Sequence, residues 1–215
     1  MEITKGRFIA FEGGEGSGKS TQARLLTKRL RHRRVGVVQT REPGGTPLGK
    51  RLRRLLQHSD PTSPIMELLL FNADRALHIT QVISPALNAQ RIVVCDRFVA
   101  STLAYQGYGR GLALSDVQTI CDMATNGVRP DLVVLLDLPA NEGLARKKGE
   151  PDRFERENLA FHRRVREGYL ELARANPDQW LVIDARQAPR VISRMIWYGV
   201  WSMLERYAPG GVFPG

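Results

Sequence analysis

Short, continuous apolar runs recur along the chain and alternate with longer stretches of helical spacing. Ile92-Val93-Val94-Cys95, Leu132-Val133-Val134-Leu135-Leu136 and Leu181-Val182-Ile183 show no polar alternation, the pattern of strands covered on both faces of a parallel sheet. Together with Phe8-Ile9-Ala10-Phe11 and the run from Val35, they predict strands at Phe8–Glu12, Val35–Thr40, Ile92–Asp96, Leu132–Asp137 and Trp180–Asp184. Helices are expected at Lys19–Arg31, Pro47–Gln57, Pro64–Gln90, Ser115–Asn126, Ala140–Lys147, Asn158–Asn176 and Ala188–Arg206. Pro47 and Pro64 suit first-turn positions, and Ser115 with Gln118 reads as a capping box. Strands alternating with helices predict an α/β fold, a three-layer α/β/α sandwich around a five-stranded parallel sheet with right-handed crossovers. Ligands in such folds bind beyond the carboxyl ends of the strands.

At 215 residues, without internal repeats or a dividing linker, the chain reads as one domain, 1–215. Gly107-Tyr108-Gly109-Arg110-Gly111 reads as a mobile loop, the charged segment at about 146–156 as a lid, and 208–215 as a frayed tail. No stretch approaches the roughly 20 apolar residues needed to span a bilayer, and Met1-Glu2-Ile3-Thr4-Lys5 lacks the apolar core of a signal peptide. Cys95 and Cys121 sit in apolar surroundings without metal-like spacing and read as buried hydrophobes, not a disulfide. The cytoplasm fits these features. The net charge of +10 fits a nucleic-acid binder or an enzyme that handles several phosphates. Much of the excess lies in Lys28 to Arg34 and Lys50 to Arg54, where no aromatic residues interleave as a single-strand stacking platform would require. A solvated basic surface is the preferred reading, and nucleic acid is not the expected partner.

The chemistry begins after the first strand. Gly13-Gly14-Glu15-Gly16-Ser17-Gly18-Lys19-Ser20 matches the phosphate-loop pattern G-x-x-x-x-G-K-[ST], between a buried strand and a helix marked by Leu25, Leu26 and Leu30. Backbone N–H groups and the helix N-terminus would cradle phosphate oxygens. Lys19 would reach the β- and γ-phosphates, and the Ser20 hydroxyl would ligate Mg²⁺. This is the signature of a nucleoside triphosphate site. The next two strands end in polar residues at the same edge: Thr40-Arg41-Glu42-Pro43-Gly44-Gly45-Thr46, then Asp96-Arg97-Phe98. An aspartate so placed holds Mg²⁺ through water, and the adjacent guanidinium gives two-pronged recognition of another phosphate. A second phosphate opposite the triphosphate implies phosphoryl transfer between nucleotides rather than hydrolysis.

Taken in order, these pieces resemble the bacterial thymidylate kinase family of P-loop nucleoside monophosphate kinases. The resemblance includes Phe8 through Ser20-Thr21, the Arg41-Glu42-Pro43-Gly44-Gly45-Thr46 run and Leu70-Phe71-Asn72-Ala73-Asp74-Arg75. It continues through Asp96-Arg97-Phe98 to Ser101, Thr102 and Ala104-Tyr105-Gln106-Gly107, then Leu136-Asp137-Leu138-Pro139 and Asp152-Arg153-Phe154-Glu155. It implies transfer of the γ-phosphate of MgATP to dTMP, and a homodimer. Gly13 to Thr21 would bind ATP. Glu15 would approach the acceptor 3′-hydroxyl, Arg97 would hold the acceptor phosphate, and Asp96 would help place Mg²⁺. Phe71 would stack on thymine, Arg75 would bond the base edge, and Thr102 would sit beside the ring. Tyr105 would pack on the sugar, with Gln106, Arg41, Pro43 and Ser101 around the same site. Some members carry a cation after the acidic residue of the phosphate loop; here Gly16 and Ser17 follow Glu15. The missing charge would come from the lid, from Arg146, Lys147, Lys148 or, as the foremost catalytic candidate, Arg153. A kinase for another nucleoside monophosphate or a deoxynucleoside, a nucleic-acid-binding P-loop ATPase and an inactive nucleotide-binding regulator are the alternatives.

Overall fold

In a computed structural model that describes residues 5–58, 63–147 and 149–206, Phe8 and Ala10 pack on one side of the first strand and Ile9 and Phe11 on the other. That strand, β1 (Arg7–Glu12), is the centre of a five-stranded parallel sheet of order β2-β3-β1-β4-β5. Its neighbours β3 (Ile92–Asp96) and β4 (Leu132–Asp137) carry the apolar runs, buried on both faces. The edge strands β2 (Val37–Arg41) and β5 (Trp180–Asp184) are only partly covered. Val182 is 45% exposed, so Leu181-Val182-Ile183 is not the doubly buried strand its composition predicts; an edge position leaves one face to solvent.

Helices α1 (Lys19–His32) and α9 (Pro189–Arg206) cover one face, with Leu26, Leu30, Ile192, Ile196 and Val200 packed on Ile9, Phe11 and Val134. On the other face lie α2 (Pro47–His58), α3 (Pro64–His78) and α4 (Ser84–Asn88). Ile79, Ile83 and Ala86 meet Phe8, Val93 and Cys95 there. A short α5 (Val99–Thr102) follows β3, and α6 (Leu114–Thr125) packs outside α3 through Val117, Cys121 and Leu68. Then come α7 (Ala140–Ala145) and α8 (Leu159–Ala175), the latter seating Phe161, Val165 and Tyr169 beside Leu135. Burying each such side chain contributes roughly 1.5–3 kcal/mol, which holds the central strands between two apolar layers.

Several local expectations are corrected. The segment predicted as one helix from Pro64 to Gln90 is α3 and α4 joined by a π-helical stretch, Ile79–Ile83, in which the Ser84 N–H bonds the Ile79 carbonyl. Pro85 follows and has no N–H to continue the α ladder. Ser115 does not cap α6; the N-cap is Ala113, and the Ser115 hydroxyl turns to Asp116. Side-chain caps belong to Ser63, bonding Met66 N at 3.2 Å, and Asn158, bonding Phe161 N at 2.8 Å. Gly107 to Gly111 is not a free loop: Leu103–Gly109 is a second π-helical stretch, and Arg110 is pinned by carboxylates at both ends of its guanidinium. The two cysteines are free and buried. Lys148 and the 208–215 tail lie outside the described residues. The basic run ending α1 meets aromatic rings after all, supplied by α9: Arg29 lies 4.0 Å over Trp197, which stacks on Trp201.

Candidate active site

Strand register gathers the polar residues. Asp96 lies opposite Phe11 on one side and Arg41 on the other, so Glu12, Asp96 and Arg41 share the carboxyl edge of the sheet. The phosphate loop leaves β1 there and packs tightly on α7. Gly16 has φ 66°, and a Cβ at this position would stand 2.0 Å from the Gly143 carbonyl oxygen, so both its dihedral and its neighbour require glycine. Helix α1 opens behind Gly18 with no side-chain cap, leaving its first-turn N–H groups to serve an anion.

Lys19 is buried, and its Nζ donates to the Gly14 carbonyl at 2.6 Å and the Ser17 hydroxyl at 3.2 Å. Burial and the Arg97 charge pull its ammonium down to about 8, against the pull of Glu15 and Asp96. The Ser20 hydroxyl donates to Asp96 Oδ2. Hydroxyl and carboxylate oxygens of this kind suit a hard divalent ion such as Mg²⁺. Among the described residues no cluster of three acidic, His or Cys side chains could hold a metal by itself.

Facing Lys19, Arg97 adopts φ 73°, the sparsely populated left-handed region that functional sites often hold. Its amide bonds the Phe11 carbonyl at 2.9 Å. Its guanidinium donates to Glu15 Oε1 at 2.6 Å and to Gly13 O, Ser101 Oγ, Tyr105 and Tyr169 hydroxyls at 3.3 Å. Burial pushes the Glu15 carboxyl up, but the Arg97 and Lys19 charges and the Tyr105 hydroxyl outweigh it and hold it at about 2. Behind them Glu12, fully buried, accepts from Ser101 Oγ at 2.6 Å, Phe98 N at 2.8 Å and the Tyr169 hydroxyl at 3.2 Å.

A cleft of about 360 Å³ runs between these groups, from Lys19, Ser20 and Thr21 to Phe71, Thr102, Tyr105 and Gln106. Arg41, Pro43, Arg146 and Lys147 also line it. Two expected residues lie elsewhere. Arg75 is not on the cleft wall: its guanidinium is buried behind Thr102, whose hydroxyl accepts at 2.9 Å, and is held by Glu42 at 2.9 Å and Asn72 at 2.8 Å. The buried Glu42 carboxylate draws it inward. Arg153 is not on the wall either, because its Nη1 donates to Glu67 at 2.7 Å and its Nε to the Leu56 carbonyl at 3.0 Å. Gly13, Gly14 and Ser17 shape the loop from behind.

The cleft also has members that the sequence reading missed. Arg53 of α2 lines it; burial and the nearby Arg41 and Arg97 charges lower its pKa, so three guanidinium groups serve one end. Arg53 and the buried Leu56 are three residues apart, and that helical spacing was the available signal. Phe154 lines the cleft with its ring 5.8 Å from Phe71 and 6.2 Å from Tyr105. An aromatic residue inside a charged run was its only mark in the sequence.

Fold and cleft together define a P-loop nucleotide kinase, with a phosphate loop and a second cationic centre lining one cavity. Comparison with known proteins narrows the class. A family model described as thymidylate kinase matches residues 11–196. The chain is 54% identical over 190 residues to a Synechococcus thymidylate kinase, covering 88% of this chain and 92% of the relative. It is 48% identical over 216 residues to the thymidylate kinase of Thermosynechococcus vestitus, covering 94% and 90%. The crystal structure of thymidylate kinase from Ehrlichia chaffeensis superposes with a TM-score of 0.77 at 34% identity, covering 91% of this chain and 99% of that one. The chain belongs to the thymidylate kinase family.

Proposed function

We infer that this enzyme transfers the γ-phosphate of ATP to dTMP, releasing ADP and dTDP. The observation that carries the reading is a single cleft lined both by Lys19 of the phosphate loop and by a second cationic centre, Arg97 with Arg41 and Arg53. One phosphate centre would serve hydrolysis; two centres in one cleft serve transfer. A dTMP phosphate oxygen attacks the γ-phosphorus, the bond from that phosphorus to the β,γ-bridging oxygen breaks, and ADP departs. Lys19 stabilises charge on the β- and γ-phosphates, and Arg97 holds the acceptor phosphate. Glu15, kept anionic, orients Arg97 and reaches the acceptor sugar. Phe71, Tyr105 and Phe154 enclose the base and sugar between aromatic faces, with Gln106 beside them. Ser20 and Asp96 would hold Mg²⁺, which supplies charge neutralisation on the donor phosphates. With no cation after Glu15 in the loop, Arg146 and Lys147 supply the lid's positive charge, and Arg153 has a different task.

We also propose a homodimer formed through the outer faces of α3 and α6, where Ile65, Met66, Leu69 and Met123 are exposed. A cytoplasmic location suits the reaction, and no helix among the described residues is long and apolar enough to cross a membrane. A coupled assay of ADP release with dTMP, dUMP, dCMP, dGMP and UMP tests the acceptor. dTMP should exceed dUMP by about tenfold or more in kcat/KM, since one methyl group in an apolar pocket is worth roughly 1–3 kcal/mol. A higher kcat/KM with any other acceptor would overturn the assignment.

A further inference from the structure

Glu67, in the first turn of α3, is fully buried, and of the cleft-lining residues it hydrogen-bonds Gln106. Its carboxylate is nonetheless where two distant segments, 106–110 and the one carrying Arg153, meet α3. Oε1 accepts from Arg153 Nη1 at 2.7 Å and Arg110 Nη2 at 3.0 Å. Oε2 accepts from Arg110 Nε at 3.1 Å and Gln106 Nε2 at 3.0 Å. Such a carboxylate is stable away from water only with its cationic partners in place, and losing one partner leaves buried charge uncompensated. The group therefore assembles as a unit.

What the unit holds is the acceptor wall. Arg153 is fixed to the end of α2 through Leu56 and Gln57 carbonyls, and its guanidinium lies 4.6 Å over the Phe154 ring. Phe154 is 7% exposed and packs against Phe71 and Tyr105 on the cleft wall. Phe71 itself stands one helical turn beyond Glu67 on α3. Gln106, on the same carboxylate, forms the next part of the wall. Arg110 extends the link to Glu157, just past the lid, at 2.5 Å.

We propose that Glu67 is a positioning residue that seats the root of the lid, and with it Phe154, against the nucleoside wall, so that the acceptor pocket and the lid form together. This rests on reading that pocket as the dTMP site. Arg153 then serves as the lid's anchor and not as its phosphate-contacting cation.

The test compares wild type with Glu67→Gln, Arg153→Gln and the double variant, normalised to folded protein by circular dichroism and thermal melting. Glu67→Gln is expected to raise the dTMP KM by about tenfold or more and to leave the ATP KM within about twofold. Arg153→Gln should act in the same direction, and the double variant should be no worse than the more severe single, since both cut one link. Trypsin should cleave after Lys147 faster in both single variants. A purely structural carboxylate would lower the melting temperature and leave the dTMP KM of the folded fraction unchanged, and that result overturns the proposal. If Glu67→Gln does not fold, an unchanged dTMP KM in Arg153→Gln overturns it equally. If wild type fails to phosphorylate dTMP, the acceptor reading is what fails; the trypsin comparison still decides the link between Glu67 and the lid.

Discussion

Lys19 sits where pH selects its active form. Burial and Arg97 bring its ammonium to about 8, so the charge that phosphates require is lost as pH rises through that value. kcat/KM for ATP reports the free enzyme and should fall by roughly tenfold per pH unit above about pH 8. kcat should hold to higher pH, because bound phosphates restore the cation. A kcat/KM that stays level to about pH 9.5 would show that Lys19 is not the titrating group. The carboxyl beside it runs the other way: Glu15 at about 2 stays anionic across the whole range and adds no acid limb near neutrality. The placement of Lys19, Ser20, Asp96 and Arg97 on the cleft was readable in the sequence, because each follows an apolar strand at a fixed local spacing. Arg75 was not. Helical spacing puts it beside Phe71, but Glu42, 33 positions earlier, decides where its guanidinium goes, and no local pattern announces that partner.

At the scale of elements, the hydrophobic period gave the strands and most helices, since burial on one or two faces is a property of each segment by itself. It did not give the π-helical stretches at Ile79–Ile83 and Leu103–Gly109. Such insertions follow from a missing N–H at Pro85 in one case and from packing in the other, where α8 lies against the segment. The charged segment at 146–156 shows the same limit. Its charges were evident, but their division of labour depends on which carboxylate each one meets. Arg153 is engaged by Glu67, whereas Arg146 and Lys147 line the cleft, Lys147 paired with Glu155. Removing a cation that acts mainly in the transition state lowers turnover and spares ground-state binding. Arg146→Ala or Lys147→Ala should therefore reduce kcat by about tenfold or more, with equilibrium ATP affinity little changed. Single-turnover kinetics alongside ATP titration separates the two effects. Full turnover in the double variant would leave the lid as a cover only.

Across the whole molecule, the basic run of α1 lies on one face of the sheet, while the exposed apolar side chains of α3 and α6 lie on the other, beside the second basic run, Lys50 to Arg54 of α2. Residues 19–34 carry seven Lys and Arg and no Asp or Glu, against a net charge of +10 for the entire chain. Arg29 to Arg34 end α1 at the far side from Lys19, a 14-residue helix away, about 20 Å at 1.5 Å per residue. That exceeds the screening length of about 8 Å at physiological ionic strength, so this charge does not act directly on phosphates in the cleft. Arg29 covers Trp197 instead, which makes part of the cluster a packing feature that composition cannot distinguish from a ligand site. The opposite layer exposes Ile65 at 48%, Leu69 at 53% and Met123 at 78%. A symmetric pair joined through α3 and α6 would bury these side chains and keep the two basic α1 faces apart. Sedimentation velocity should accordingly show a dimer at micromolar concentration. Leu69→Glu with Met123→Glu should give a monomer, because two carboxylates in a contact core are costly to desolvate. The same substitutions leave the cleft untouched, so per-chain kcat should change only as far as dimerisation steadies α3 and the Phe71 it carries. A dimer that survives both substitutions would place the interface on another face.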